Sequence, residues 1–339
     1  MRDRRDSWTR REFVAGLTLA GTAGLLGVRA EPVAAEPPPE TTTIRINRTT
    51  SLCTAPKYVA EEFLQDEGFT EVQYVTTPGG RGVAKALASG QTDVAITFSA
   101  PLLIQLDAGD PVLILAGTHP GCFELYATGQ VRSIADLKGK TVAVQELGSS
   151  QHVFLAIMAA YVGVNPTKDI TWVTRPRAES IQLLAAGKVD AYMAFPPEPL
   201  ELRAKKIGHV VVNSMMDRPW SQYFCCMVAG NREFVRTHPV ATKRTLRGLL
   251  KATTVCALEP ERAARRLADR GLAKSYDVAL QTMREIPYGK WQEYDPEDTL
   301  RFYGLRLHEV GMIKSSPQKV IAQGTDWRFL NELKKELKG

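Results

Sequence analysis

Residues 81–98, RGVAKALASGQTDVAITF, pass from a helical pattern to a strand pattern within one short stretch. Arg81 to Ser89 reads as a helix that stops at Gly90, and Asp93 to Phe98 as a buried strand. Glycine ends helices because it alone enters the left-handed region without a Cβ penalty. Residues 178–195, AESIQLLAAGKVDAYMAF, repeat the order: a helix over Ala178 to Ala186, a stop at Gly187, a strand over Ala191 to Phe195. Continuous apolar strands separated by helices are the pattern of a mainly parallel sheet with both faces covered.

Working outward, each stretch closes a series. Before the first lie a strand at Thr43 to Asn47, a helix at Lys57 to Asp66 and a strand at Glu71 to Thr76; an apolar strand, Pro111 to Ala116, follows it. The second series runs through strands at Phe123 to Thr128, Thr141 to Gln145 and Ile170 to Val173, with a helix at Ser149 to Val162, and ends on a strand at His209 to Asn213. Tyr223 to Ala229 is apolar again, and helical patterns follow at Arg232 to Thr237, Val240 to Leu258, Pro260 to Arg270 and Pro296 to Glu309. The expected fold is α/β with two lobes, each a mainly parallel sheet flanked by helices, and a helical C-terminal extension on lobe 1. Lobe 1 spans 41–118 plus 225–339 and lobe 2 spans 122–218, with a hinge at 118–122 and 216–225.

Residues 1–35 read as an address rather than as fold. Arg10 and Arg11 precede Phe13, and Ala15 to Val28 is apolar but shorter than the ~20 residues a bilayer crossing needs. Paired arginines before such a run resemble a twin-arginine export signal, so a periplasmic destination is expected. Residues 36–43 read as a solvated linker rich in Pro, Glu and Thr. At 339 residues the chain has room for roughly two domains. Its 44% hydrophobic and 24% charged residues exclude wholesale disorder. The net charge of +6 forms no basic stripe, so no nucleic-acid partner is expected. Five cysteines without a CxxC read as small buried hydrophobes, not a zinc finger. Cys225 and Cys226 are adjacent, so a bridge between them would strain the geometry.

Five stretches in order carry a family resemblance: Ala55-Pro56-Lys57-Tyr58-Val59-Ala60, Ala84 to Ala95, Asp136 to Val144, Gly148-Ser149-Ser150 and Leu184 to Ala191. They resemble the periplasmic solute-binding proteins of nitrate, sulfonate and taurine importers, whose SsuA/THI5-like (NMT1/THI5-like) domain is shared with thiamine-pyrimidine synthases. The resemblance implies a type II periplasmic-binding fold that takes a small-molecule solute in an inter-lobe cleft and delivers it to an ABC permease and its ATPase. A monomer, no cofactor and no enzymatic activity are the accompanying expectations.

In doubly wound sheets, ligands bind outside the carboxyl ends of the strands. Those ends place Thr50 and Ser51 after the first strand, Gly80 and Arg81 after the second, and Phe98 and Ser99 after the third. Gly148, Ser149 and Ser150 open a lobe-2 helix whose free amides suit an anion; the plain alternative is an ordinary serine N-cap. Arg81 reads as a partner for a carboxylate, sulfonate or phosphate, or as a solvated cation. Phe195 and Glu198 flank a proline-stiffened loop, with Glu198 an acceptor for an amine or ring N–H, and Tyr223 stands at the return hinge. His119 and His152 share no ligand spacing, so no metal is expected.

The expected solute is small and anionic, because helix starts face the cleft and the chain is net basic. The rival readings are a thiamine-pyrimidine synthase-like enzyme, or a binder of a pyrimidine, a thiamine precursor or another aromatic heterocycle. The synthases carry a Cys-Cys-Cys-Phe-Cys iron motif; here only Cys225 and Cys226 are paired, with Phe224 before them. A sensor presented to a membrane kinase would share this sequence. Gly-x-Ser-x-Gly, Walker-type and His-Glu-x-x-His patterns are missing, so hydrolase, NTPase and zincin readings lack support.

Overall fold

The computed structural model describes residues 36–77 and 81–337, with Arg81 by its backbone alone. The export signal read in residues 1–35 and the contact expected of Gly80 lie outside the described residues. Ten strands are described: β1 (Thr43–Arg48), β2 (Glu71–Thr76), β3 (Val94–Phe98), β4 (Val112–Pro120), β5 (Glu124–Ala127), β6 (Lys140–Val144), β7 (Ile170–Thr174), β8 (Ala191–Ala194), β9 (His209–Asn213) and β10 (Phe224–Asn231).

They form two five-stranded sheets, ordered β2-β1-β3-β10-β4 and β7-β6-β8-β5-β9. In the first, β1 pairs in parallel with β2 and β3, and β10 runs antiparallel between β3 and β4. In the second, β6 pairs in parallel with β7 and β8, and β5 runs antiparallel between β8 and β9. Each antiparallel strand is the one that has just crossed from the other sheet. The fold is therefore the expected α/β pair of mainly parallel, helix-flanked sheets.

Burial explains the strand sequences. Every residue of β4 and β10 is buried, which is why both read as unbroken apolar runs. Gly117 is required there, because a Cβ on it would lie 2.5 Å from the Phe224 ring. The C-terminal helices from Arg232 to Glu336 pack mainly around the first sheet. Glu40 accepts from the amides of Val240 and Ala241, at 3.0 and 2.8 Å, at the start of the helix Pro239–Leu258. A carboxylate there complements the helix dipole. The segment read as a solvated linker is clasped to the body at that exposed residue.

The crossovers are also pinned. Ser214 Oγ accepts from the amides of Cys122 and Phe123, at 3.1 and 2.9 Å, and donates to the Phe123 carbonyl at 2.8 Å. The outgoing and returning segments are thereby held side by side. Among the described residues, no helix is long and apolar enough to cross a membrane.

Candidate functional site

The carboxyl ends of β1, β2 and β3 face those of β6 and β8 across a cavity of about 440 Å³. On the first-sheet side, the loop after β1 supplies Arg48, Thr49, Thr50, Ser51 and Thr54. That loop is held from behind. The Tyr58 hydroxyl accepts from the Thr49 amide at 2.9 Å and donates to the Thr49 carbonyl at 2.7 Å. Thr54 Oγ1 donates to the Ser51 carbonyl at 2.9 Å. The fully buried Lys57 donates from Nζ to Thr49 Oγ1 at 3.0 Å and lies over the Tyr58 ring. Burial brings the Lys57 ammonium down to about 7, while charge on Cys53 and Cys226 acts in the opposite direction.

Thr76 at the end of β2, Thr77 after it and Thr97 near the end of β3 extend this rim of hydroxyls. Phe98 and Phe195, one from each sheet, meet edge to face at 5.8 Å, and both lie against Phe123. This aromatic group joins the halves beneath the cavity and gives it an apolar wall.

The second-sheet side brings amide and guanidinium donors. Gln145 follows β6, and Ser150 and Gln151 open the helix Ser150–Tyr161. Gln151 Nε2 is buried and has no hydrogen-bond partner among the described residues. Arg177 opens the helix Arg177–Ala185, lies over the Phe195 ring at 5.1 Å and pairs through Nε with Glu198 at 3.0 Å. Arg48 makes no ion pair among the described residues and is exposed to the cavity. The lining therefore presents two guanidinium groups and several hydroxyls. That set suits a negatively charged group.

Of the residues expected to bind, the structure brings Thr50, Ser51, Phe98, Ser150 and Phe195 to this cavity. It employs others elsewhere. Ser99 Oγ donates to the carbonyls of Phe224 and Cys225, at 2.7 and 3.1 Å, and so fastens the end of β3 to β10. Ser149 is the N-cap, accepting from the His152 amide, and Gly148 donates its N–H to His152 Nδ1 at 3.1 Å. Tyr223 stacks on Phe302 at 4.1 Å, away from the cavity. Arg81 begins the helix Arg81–Ala88, and its side chain lies outside the described residues.

Glu198 is buried behind the lining, where it accepts from the Tyr192 hydroxyl at 2.7 Å and holds Arg177. Burial pushes its carboxyl up to about 7, against the pull of Arg177 and of the Tyr192 and Phe195 donors. Its place is to orient the cavity arginine rather than to touch a solute.

Reading strand ends misses Arg177 and Leu272, and reaches Gln151 without singling it out; all three line the cavity. Arg177 lies just past the polar Thr174-Arg175-Pro176 loop, and Gln151 extends the Gly-Ser-Ser motif by one residue. Leu272 comes from the helical tail, where no local pattern marks it.

A family model described as NMT1/THI5 like matches residues 53–263. Among curated proteins, the bicarbonate-binding protein CmpA of Synechococcus elongatus is 28% identical over 144 residues, which are 42% of this chain and 31% of that protein. The match thus spans about a third of that relative's length. Among solved structures, the periplasmic nitrate-binding protein NrtA from Synechocystis PCC 6803 aligns with a TM-score of 0.70 at 16% identity, covering 89% of this chain and 90% of that one. The alkanesulfonate-binding protein SsuA from Xanthomonas axonopodis pv. citri, bound to MOPS, aligns with a TM-score of 0.66 at 21% identity, covering 87% and 100%. Both structures share the fold.

Proposed function

The chain belongs to the NMT1/THI5-like family, and from that premise we propose that it is the solute-binding component of an ABC-type importer that captures a small organic anion. The observation that carries the reading is the cavity between the two sheets, which Arg48 and Arg177 line together with the hydroxyls of Thr49, Thr50 and Ser51, beside the Phe98–Phe195 wall. A cavity of about 440 Å³ is in the range of organic-ligand sites, and a bare oxyanion would leave most of it to water. The guanidinium groups take the charge and the aromatic wall takes the body.

Capture follows from donors lying on both halves. A solute bridging lobe 1 (41–118 and 225–339) and lobe 2 (122–218) favours the closed form, with the hinge at 118–122 and 216–225. The closed face then docks the permease with its ATPase. On this reading residues 1–35 direct the chain to the periplasm by a twin-arginine route, and it acts there as a monomer. On this reading it acts as a binder, the role that the guanidinium and hydroxyl groups lining the cavity support.

Isothermal titration of the purified chain against alkanesulfonates, carboxylates, nitrate, bicarbonate and pyrimidines tests this. Organic anions are expected to bind, and Arg177→Ala to weaken them by roughly ten- to a hundredfold, the worth of a charge-assisted hydrogen bond. Binding confined to neutral or cationic compounds, or unchanged in Arg177→Ala, would overturn it.

A further inference from the structure

We propose that Cys53, His119, Cys122 and Cys226 form a buried tetrahedral site for a zinc ion. All four are fully buried, and one ligand atom from each lies within 4.8 Å of the other three. They come from separate parts of the chain. Cys53 follows β1, His119 is near the end of β4, Cys122 sits in the outgoing crossover, and Cys226 lies in β10.

The distances suit the ion. Four ligands around zinc with Zn–S bonds of about 2.3 Å put sulfur atoms about 3.8 Å apart, and Cys53 Sγ and Cys226 Sγ are 3.9 Å apart. The histidine is prepared for ligation. Its Nδ1 lies 3.2 and 3.0 Å from the carbonyl oxygens of Pro120 and Gly121, which only accept, so Nδ1 carries the proton. Nε2 is left with its electron pair, buried and without a hydrogen-bond partner among the described residues. A ring donating one N–H to backbone carbonyl while its other nitrogen stays free is the arrangement of a metal-bound histidine. The Tyr288 ring packs against it edge-on at 5.1 Å and fixes its plane.

Charge balance also accounts for a residue that is otherwise unexplained. Lys57 is fully buried and has no carboxylate partner among the described residues. Three thiolates and one zinc ion leave a single negative charge, which the Lys57 ammonium neutralises. Each thiol still protonated releases its proton to solvent as its Zn–S bond forms. The site would tie the outgoing crossover and β10 to the loop that lines the cavity, because Ser51, a lining residue, touches Cys53 Sγ through its hydroxyl at 2.9 Å.

The competitor is a disulfide. Cys225 Sγ lies 2.7 Å from Cys122 Sγ, and a Cys122–Cys225 bond would withdraw one ligand. The test is elemental analysis and cobalt(II) replacement on the purified chain, with intact mass and thiol titration on the same sample. Expected are one zinc per chain that survives dialysis, and, with cobalt, the visible bands of a tetrahedral ion plus near-ultraviolet thiolate charge transfer. Cys225→Ala should keep both signals; Cys226→Ala and His119→Ala should weaken metal binding at least about tenfold. If those two variants do not fold, the cobalt spectrum of the unaltered chain decides by itself. A chain that takes up no cobalt with its thiols free, one lighter by two hydrogens with a mapped Cys122–Cys225 bond, or an octahedral cobalt spectrum would overturn the site.

Discussion

The two sheets share a strand order and differ in how they are buried. In each, three parallel strands are followed by an antiparallel newcomer and then by an edge strand, β4 in the first and β9 in the second. β4 is buried along its whole length, whereas β9 begins with two exposed residues. The chain spends its last hundred residues on helices that pack mainly around the first sheet. The second sheet instead keeps a small core of its own on one face, built around Tyr126, Tyr192, Ile181 and Leu202. One topology thus serves as a thickly covered body and as a thinner partner. The cavity lies where they face each other, and the pinned crossovers are the parts both share.

The largest effect should come from the crossovers. Gly121 has φ +53°, and a Cβ on it would lie 2.4 Å from the Ser214 carbonyl oxygen and 2.5 Å from Met215 Cα. Left-handed backbone and a clash with main chain both oppose a side chain, and backbone cannot swing aside. Gly121→Ala is expected to cost about 4 kcal/mol in urea unfolding, against about 0.5 kcal/mol or less for Gly129→Ala, where nothing lies within 4 Å. Equal costs would mean that the crossovers are not pinned as the Ser214 bonds indicate.

Next comes a contrast between equivalent helix starts. Ser99 opens the helix after β3 and Glu198 the helix after β8. Ser99 is neutral, but Glu198 has its carboxyl raised from 4.5 to about 7, by burial above all. Between those values the folded chain keeps a proton that the unfolded chain releases. Stability therefore falls as pH rises through the window, by about 3 kcal/mol for this group. Glu198→Gln cannot release a proton and removes that slope. Urea midpoints from pH 4 to 8 check it; identical slopes in the two proteins would place Glu198 in a more solvated setting.

The sequence made the strands plain: the fully buried β4 and β10 read as apolar runs, and even the largely exposed Glu71–Thr76 and His209–Asn213 coincide with their expected bounds. Two helices hid behind prolines. Phe98 and Ser99 read as a strand end and Phe195-Pro196-Pro197-Glu198 as a proline-stiffened loop, yet proline is tolerated in a first helical turn, and helices Ser99–Asp107 and Glu198–Lys205 begin there. At the site, the loops could be located but not the side-chain directions. Ser99 and Ser150 both open helices at strand ends, and only tertiary packing sends Ser99 Oγ to β10 and leaves Ser150 on the cavity. His119 and Cys122 lie three residues apart, but Cys53 and Cys226 come to them only through the tertiary fold, which no spacing along the chain records.

The smallest effect compares the two edges directly. Val112 in β4 is fully buried, and Val210 in β9 is 40% exposed. An edge strand ordinarily leaves unpaired main chain, but in β4 the Asp326 amide donates to the Ile114 carbonyl at 3.0 Å, so the C-terminal chain caps that edge. Val112→Ala should therefore cost on the order of 2 kcal/mol, the loss of buried methyl groups plus an unfilled space. Val210→Ala should cost about 0.5 kcal/mol or less, since solvent already covers much of its side chain. Urea denaturation of both variants reads the gap. If the two costs match, the second sheet is as firmly covered as the first, and the contrast between body and partner fails.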